Sequence, residues 1–242
     1  MDDGAKSLEE SISMARTAMK DGIHTIVATP HTLNGSYLNP VPEVISKVTD
    51  LQEALSENDI NLRLCVGADI HLCPGLMGQI EKGAAGTINN KVKYILLELP
   101  AQTIPHGIKD EIFTLKVHGI TPIITHPERH PTIIRDMNLL WELLSMGALF
   151  QVTAMSITGD FGEMVMHCAE RLLIYRLAHV IASDAHSPDG RPPVLSHAVE
   201  AAGVIMGNLE DAERMVNDIP ALILAGETIE TPEPMRMKKG PI

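Results

Sequence analysis

Membrane-spanning runs, paired cysteines and an excess of basic residues are all missing from this 242-residue sequence. No stretch approaches the ~18 to 20 consecutive apolar residues that cross a bilayer, and runs such as Tyr94 to Leu97 have strand length. Membrane insertion is therefore not expected. The three cysteines (Cys65, Cys73, Cys168) stand at unrelated spacings. That excludes a disulfide scaffold and reads as packing residues in a reducing compartment. Met1-Asp2-Asp3-Gly4 has neither a basic nor an apolar leader region, so no signal peptide is expected and a cytoplasmic location follows. Lys+Arg 19 against Asp+Glu 31 leaves a net charge of −12. Such a field repels nucleic-acid phosphates, and no basic patch overrides it, so nucleic acid is not an expected partner. Clustered carboxylates can instead be offset by bound cations.

Familiar catalytic loops are absent too. A cysteine phosphatase needs Cys-x5-Arg, but the residues six after the three cysteines are His71, Gln79 and Ile174. No G-x-x-x-x-G-K-[ST], no G-x-G-x-x-G after a strand and no G-x-S-x-G occurs. Gly83-Ala84-Ala85-Gly86 is too short to cradle phosphate and reads as a turn. What remains is 45% hydrophobic, 21% charged and only 3% aromatic. This is globular composition at a length that suits one α/β barrel.

The chain alternates helical stretches with short β-rich runs. Leu8, Ile12, Ala15 and Met19 recur at helical spacing, with Gly22 placed to stop the helix. A strand over His24 to Ala28 then leads to Thr29-Pro30-His31. A helix from about Pro42 to Glu57 precedes the strand Leu62 to Val66, which ends at Gly67-Ala68-Asp69. Strands follow at Tyr94 to Leu97, Thr121 to Ile124, Ala148 to Val152 (after a helix around Trp141) and His179 to Ala182. Residues from about Pro193 to Ala225 read as helical. Six strands alternating with helices predict a parallel sheet or barrel. Residues 1–230 form the expected single domain, and 231–242, rich in Pro and Lys, the expected loose C-terminal tail.

Polar residues gather at one end of this framework. His31, Asp69, Glu98, His126, Asp184 and His186 all follow strand runs, at the end where α/β barrels carry their chemistry. Asp184 and His186 are two apart, and extended geometry sends both to the same side. Histidine and carboxylate without cysteine suits Mn, Fe or Zn in hydrolytic chemistry. His24, His71, His106, His118, His130, His167, His179 and His197 read as ordinary core or solvated residues, though His71 and His130 lie near the active end. Arg129 and Arg191 are the arginines nearest the ligand cluster, and a guanidinium grips phosphate oxygens with a fork that lysine lacks.

These segments bring a known family into view. Asp2-Asp3-Gly4-Ala5-Lys6-Ser7, Ile26 through His31, Tyr94 through Glu98, Ile124 through Arg129, and Ala182 through His186 with Arg191-Pro192-Pro193 stand in its order and spacing. The chain, to about residue 225, resembles the polymerase-and-histidinol-phosphatase (PHP) superfamily. More narrowly it is similar to the manganese-dependent protein-tyrosine phosphatases of bacterial capsule and exopolysaccharide operons. The resemblance implies a distorted seven-stranded, TIM-like (β/α) barrel with up to three metals. Asp3, His31, Asp69, Glu98, His126, Asp184 and His186 would be metal ligands, and Arg129 and Arg191 would grip phosphate. Manganese is the implied metal, with Fe, Zn or Mg as alternatives. The implied reaction is direct attack of metal-bound hydroxide on a phosphotyrosine segment of an autophosphorylated bacterial tyrosine kinase that regulates polysaccharide synthesis. A monomer or small homo-oligomer is expected.

Two departures stand out. The family's first strand, ending in His-x-His, is missing before Asp2, which implies a barrel short of one strand, fewer bound metals and a true start upstream of Met1. The family's Gly-x-Glu reads Gly67-Ala68-Asp69. The alternatives are a PHP phosphoesterase acting on a small phosphate monoester, as a histidinol phosphatase does, or a metal-poor, inactive binding protein.

Overall fold

The computed structural model describes residues 1–231 and 233–235. Eight short strands carry the architecture: β1 (Thr25–Ala28), β2 (His31–Thr32), β3 (Arg63–Val66), β4 (Asp69–His71), β5 (Tyr94–Glu98), β6 (Thr121–Thr125), β7 (Leu149–Thr153) and β8 (Val180–Ala182). Between and after them run α1 (Leu8–Lys20), α2 (Val41–Glu57), α3 (Leu76–Glu81), α4 (Ile108–Val117), α5 (Pro131–Arg135), α6 (Asn138–Ser145), α7 (Ala154–Thr158) and α8 (Glu163–Ile174). Three further helices, α9 (Ser196–Met206), α10 (Leu209–Arg214) and α11 (Asp218–Ala225), divide the region expected as helical near the C-terminus. Gly207, at φ +70, caps the first of these, as a left-handed C-terminal glycine does.

Every pairing is parallel. One sheet has the order β2-β4-β5-β6-β7-β8, and β1 pairs with β3 beside it. The first two expected strands are each interrupted and resume, β1 into β2 and β3 into β4. Pro30 has no N–H to continue a ladder. At the second break, a Cβ on Gly67 would stand 3.0 Å from Val27 and 3.1 Å from Thr29, so only glycine lets the two chains pass so closely. The placement of two site residues is thereby corrected. His31 and Asp69 do not end the strands read from sequence; they open β2 and β4, and they face each other in register.

Alternation along β5 separates two apolar layers. Ile95 and Leu97 join a core with Ile112 and Leu115 of α4, Leu140 and Leu143 of α6, and Leu172 of α8, while Tyr94 and Leu96 point to the other face with Ile123, Val180 and Ile223. Period-2 geometry and helix cover on one face account for this partition. The sheet does not close. Among the described residues neither β8 nor β1 has a partner strand on its outer edge. A cavity of about 800 Å³, lined in part by Val27, Leu96, Ile123, Val180 and Ile223, lies between them. Asp21, capping α1, bridges part of the span by accepting from the backbone N–H groups of Leu195 and Ser196 at 2.6 and 3.1 Å.

No helix among the described residues is long and apolar enough to cross a membrane. Of the expected tail, residues 232 and 236–242 lie outside the described residues. Within it, Met235 donates its backbone N–H to Tyr175 O at 3.0 Å.

Candidate metal centre and anion grip

The ends of β5 and β6 and the starts of β2 and β4 converge on one spot. His31 Nδ1 lies 3.7 Å from Asp69 Oδ2 and 3.6 Å from Glu98 Oε2. His126 Nε2 lies 3.8 Å from the same Asp69 oxygen and 3.7 Å from Glu98 Oε1. These gaps are too long for hydrogen bonds. They are close to the roughly 3.0 to 3.6 Å that separates ligand atoms each about 2.1 Å from one ion. His31 Nδ1 is buried with no hydrogen-bond partner. That orphaned nitrogen between two carboxylates, in a set without thiolate, fits a divalent transition metal.

A second group lies nearer the surface. His186 Nε2 and His31 Nε2 approach Asp3 Oδ1 at 3.7 and 3.8 Å. His186 Nδ1 makes a 2.9 Å bond to the Asp184 carbonyl, which only accepts, so the proton sits on Nδ1 and the Nε2 lone pair faces Asp3. Ligand atoms of Asp3, His31 and His186, and likewise of His31, Asp69 and Glu98, fall within 4.8 Å of one another. A neutral imidazole has one lone pair, so His31 serves one group at a time.

Beside the metal candidates sits an anion grip. Arg129 Nη1 donates to Asp184 Oδ2 at 2.7 Å, and Arg191 Nη2 donates to the same oxygen. The other oxygen, Oδ1, is 3.8 Å from His186 Nδ1. One carboxylate thus joins the ligand cluster to both arginines. Arg191 Nε is buried and without a partner, a donor held in reserve. Both guanidinium carbons also lie over the Phe161 ring, Arg129 at 4.9 Å and Arg191 at 5.7 Å from its centroid, within cation–π range.

Local structure fixes these groups. His126 (φ +36) and Asp184 (φ +51) occupy left-handed backbone conformations that L-residues rarely adopt, and such strain concentrates at functional sites. Asp2 accepts from His31 N at 2.9 Å, and Asn39 Nδ2 donates to His31 O at 2.7 Å. Thr125 donates its hydroxyl to Asp69 at 3.2 Å. Glu128, fully buried, accepts from Thr153 N at 2.9 Å and Ser156 Oγ at 2.7 Å, which pins the Pro127–Arg129 turn to the start of α7. The segment from His186 to Arg191 closes on itself through His186 N to Arg191 O at 2.9 Å.

Burial shapes the titration of the cluster. Desolvation first, then the negative charges of Glu98 and Asp184, holds the Asp69 carboxyl well above the usual range. Desolvation, then the Arg129 charge, pulls His126 down to about 4, so its imidazole is neutral and has a lone pair to offer at physiological pH. Burial likewise lowers Arg191 from its ordinary value, and Asp184 opposes that shift.

All nine residues singled out in the sequence meet here: Asp3, His31, Asp69, Glu98, His126, Asp184 and His186 with Arg129 and Arg191. His71, read as ordinary, also reaches the cluster, with Nδ1 3.5 Å from Glu98 Oε2. His130 does not. Its Nε2 donates to Pro100 O while Nδ1 accepts from Thr132 N, a helix-capping role. Asp2, Asn39 and Phe161 escaped sequence reasoning, because their parts rest on contacts between distant loops.

A parallel α/β sheet with a His–carboxylate cluster beside paired arginines has the donor set of a candidate metal centre with a candidate anion site next to it. Comparison with known proteins makes the assignment specific. The family model for capsular polysaccharide synthesis proteins CpsB/CapC matches residues 1–224, and the chain belongs to that family. It is 37% identical over 195 residues to CapC of Staphylococcus aureus, covering 81% of this chain and 76% of that protein. It is 34% identical to the tyrosine-protein phosphatase YwqE of Bacillus subtilis over 242 residues, 99% of this chain and 94% of YwqE. It superimposes with a TM-score of 0.93, at 33% identity and covering 99% of this chain and 96% of the other, on a crystal structure from a study of YwqE and Streptococcus pneumoniae CpsB. That study describes them as unique metal-dependent tyrosine phosphatases.

Proposed function

We propose that this protein is a metal-dependent protein-tyrosine phosphatase of capsule or exopolysaccharide synthesis, acting on the phosphotyrosine segment of an autophosphorylated bacterial tyrosine kinase. One observation carries the reading: a single Asp184 oxygen accepts from both Arg129 and Arg191, and this carboxylate lies next to the candidate ligand His186. Metal cluster and anion grip are therefore parts of one site.

Asp69, Glu98, His31 and His126 would hold one ion and Asp3, His186 and Asp184 would contribute to another, with manganese the proposed metal and Fe, Zn or Mg as alternatives. A metal held by these residues would lower the pKa of a bound water towards neutral and offset phosphoryl charge. Arg129 and Arg191 bind the non-bridging phosphate oxygens and orient phosphorus. The leaving phenol, of pKa ~10, departs with less help from an acid than an alkyl alcohol requires. The cysteines are poorly suited to act as nucleophiles: Cys65 and Cys168 are buried, burial pushes the Cys168 thiol up to about 12, and Cys73 is raised above its ordinary value.

The test is phosphate release from a phosphotyrosine peptide with manganese, beside a chelated control. Release that depends on the metal is expected. Failure to release phosphate from the peptide, with turnover of small phosphate esters intact, would overturn the assignment.

A further inference from the structure

Aromatic side chains are scarce in this chain: three Phe, three Tyr and one Trp. Two of these, Tyr94 and Phe150, are fully buried in the apolar layers. Phe161 instead sits half-buried on the short loop between α7 and α8, next to both arginines of the anion grip. The loop holds it firmly. Gly159 (φ +90) and Gly162 (φ +92) supply the backbone turns on either side, and Thr158 hydrogen-bonds the side chain of the neighbouring Asp160. A Cβ on Gly159 would lie 3.0 Å from Met166 Sδ, so α8 closes against the loop.

Two guanidinium carbons within 6 Å of one ring place that ring beside any phosphate they both hold. In a phosphate monoester the leaving group begins one oxygen away from phosphorus. We propose that Phe161 selects the leaving group, packing against the aromatic ring of an aryl phosphate and leaving an alkyl phosphate without this contact. The inference rests on the phosphomonoester reading above and adds a residue that sets which esters are taken. Offset or edge-on ring pairs contribute beyond simple burial. A short alkyl ester such as phosphoserine offers no ring to pair with.

The competing role is that Phe161 only steadies the arginines, which would affect every phosphate alike. Calorimetric binding of phenylphosphonate and methylphosphonate to the manganese-loaded protein separates the two, since neither ligand is hydrolysed. The wild type is expected to prefer phenylphosphonate. Phe161→Ala should weaken phenylphosphonate about three- to tenfold and methylphosphonate less than about twofold. Phe161→Leu, which keeps apolar bulk and guards against loss of folding, should fall between them, and Phe161→Tyr should match the wild type. Equal losses for both ligands, or no preference in the wild type, would overturn the proposal. A loss in Phe161→Ala confined to phenylphosphonate, with no hydrolysis of a phosphotyrosine peptide by the wild type, would uphold Phe161 and sink the phosphatase reading.

Discussion

Glu128 offers the sharpest test of how the site is held. It lies between His126 and Arg129, is fully buried, and accepts from Thr153 N at 2.9 Å and Ser156 Oγ at 2.7 Å. Glu128→Ala would leave a buried N–H and a buried hydroxyl unpaired, at about 1–3 kcal/mol each. Against that loss stands a gain. Burial pushes the Glu128 carboxyl up to about 6 from 4.5, so keeping it ionised at pH 7.5 costs about 2 kcal/mol, which the substitution removes. The net expectation is a destabilisation of about 2–4 kcal/mol once the vacated volume is added. Activity should fall by about tenfold or more, because His126 and Arg129 move with the turn. Glu128→Gln keeps one carbonyl oxygen for the two donors and removes the charge, so it should stay within about 1 kcal/mol of the wild type and keep most activity. Urea denaturation followed by far-UV circular dichroism measures the first quantity, and phosphate release at saturating manganese the second. An alanine variant as stable and active as the wild type, or a glutamine variant as damaged as alanine, would refute the reasoning.

Four other outcomes follow from the same geometry. Arg191→Lys should lower kcat/KM on a phosphotyrosine peptide by about 100-fold, because an ammonium cannot keep both Asp184 and a phosphate oxygen in a fork; steady-state kinetics would show it. Manganese at about 100 times its Kd should stabilise the protein by about 2.7 kcal/mol, and Asp69→Asn should shrink that shift in the melting temperature, read by scanning calorimetry. His179 is buried, accepts from Phe150 N at 3.1 Å, and is lowered by desolvation to about 4 from 6.5. The unfolded chain therefore binds the extra proton first, and stability present above pH 6.5 is lost as pH falls towards 4, by about 3 kcal/mol from this residue. The raised Glu128 and Asp69 carboxyls act in the opposite sense, so the difference between wild-type and His179→Gln urea curves across that window isolates the term. Iodoacetamide should leave phosphatase activity intact, with Cys168 unmodified in the folded protein by mass spectrometry.

The strand positions were legible because buried parallel strands are short apolar runs, and six of the eight lie within a residue or so of their expected limits. Others were hidden. β2 and β4 are two or three residues long, and no periodicity can announce them. They exist because a longer ladder is interrupted around Pro30 and Gly67 and then resumes in the same register. Those interruptions turn His31 and Asp69 towards each other. The ligand residue types could be read from their positions after strands, while the partners that orient them could not. Asp2 reaches His31 N across 29 residues, and Glu128 was visible in its motif without any sign that α7 depended on it. Phe161 carried no pattern at all, being one aromatic in a glycine-bounded loop, 30 residues or more from either arginine.

Asp184 explains why such a site can stand ready without its substrate. Two guanidiniums on one spot repel each other, and Arg191 is depressed by burial and by the Arg129 charge. A single carboxylate oxygen between them supplies the missing negative charge and fixes both forks before any phosphate arrives. It leaves Arg191 Nε unused. On the proposed function, a phosphate monoester dianion brings more charge and more oxygens than Asp184 offers, so it would share the guanidiniums with the carboxylate. On that proposal, substrate would enter a grip whose reorganisation cost has already been met in folding, which is the condition under which electrostatic stabilisation of a transition state is strongest.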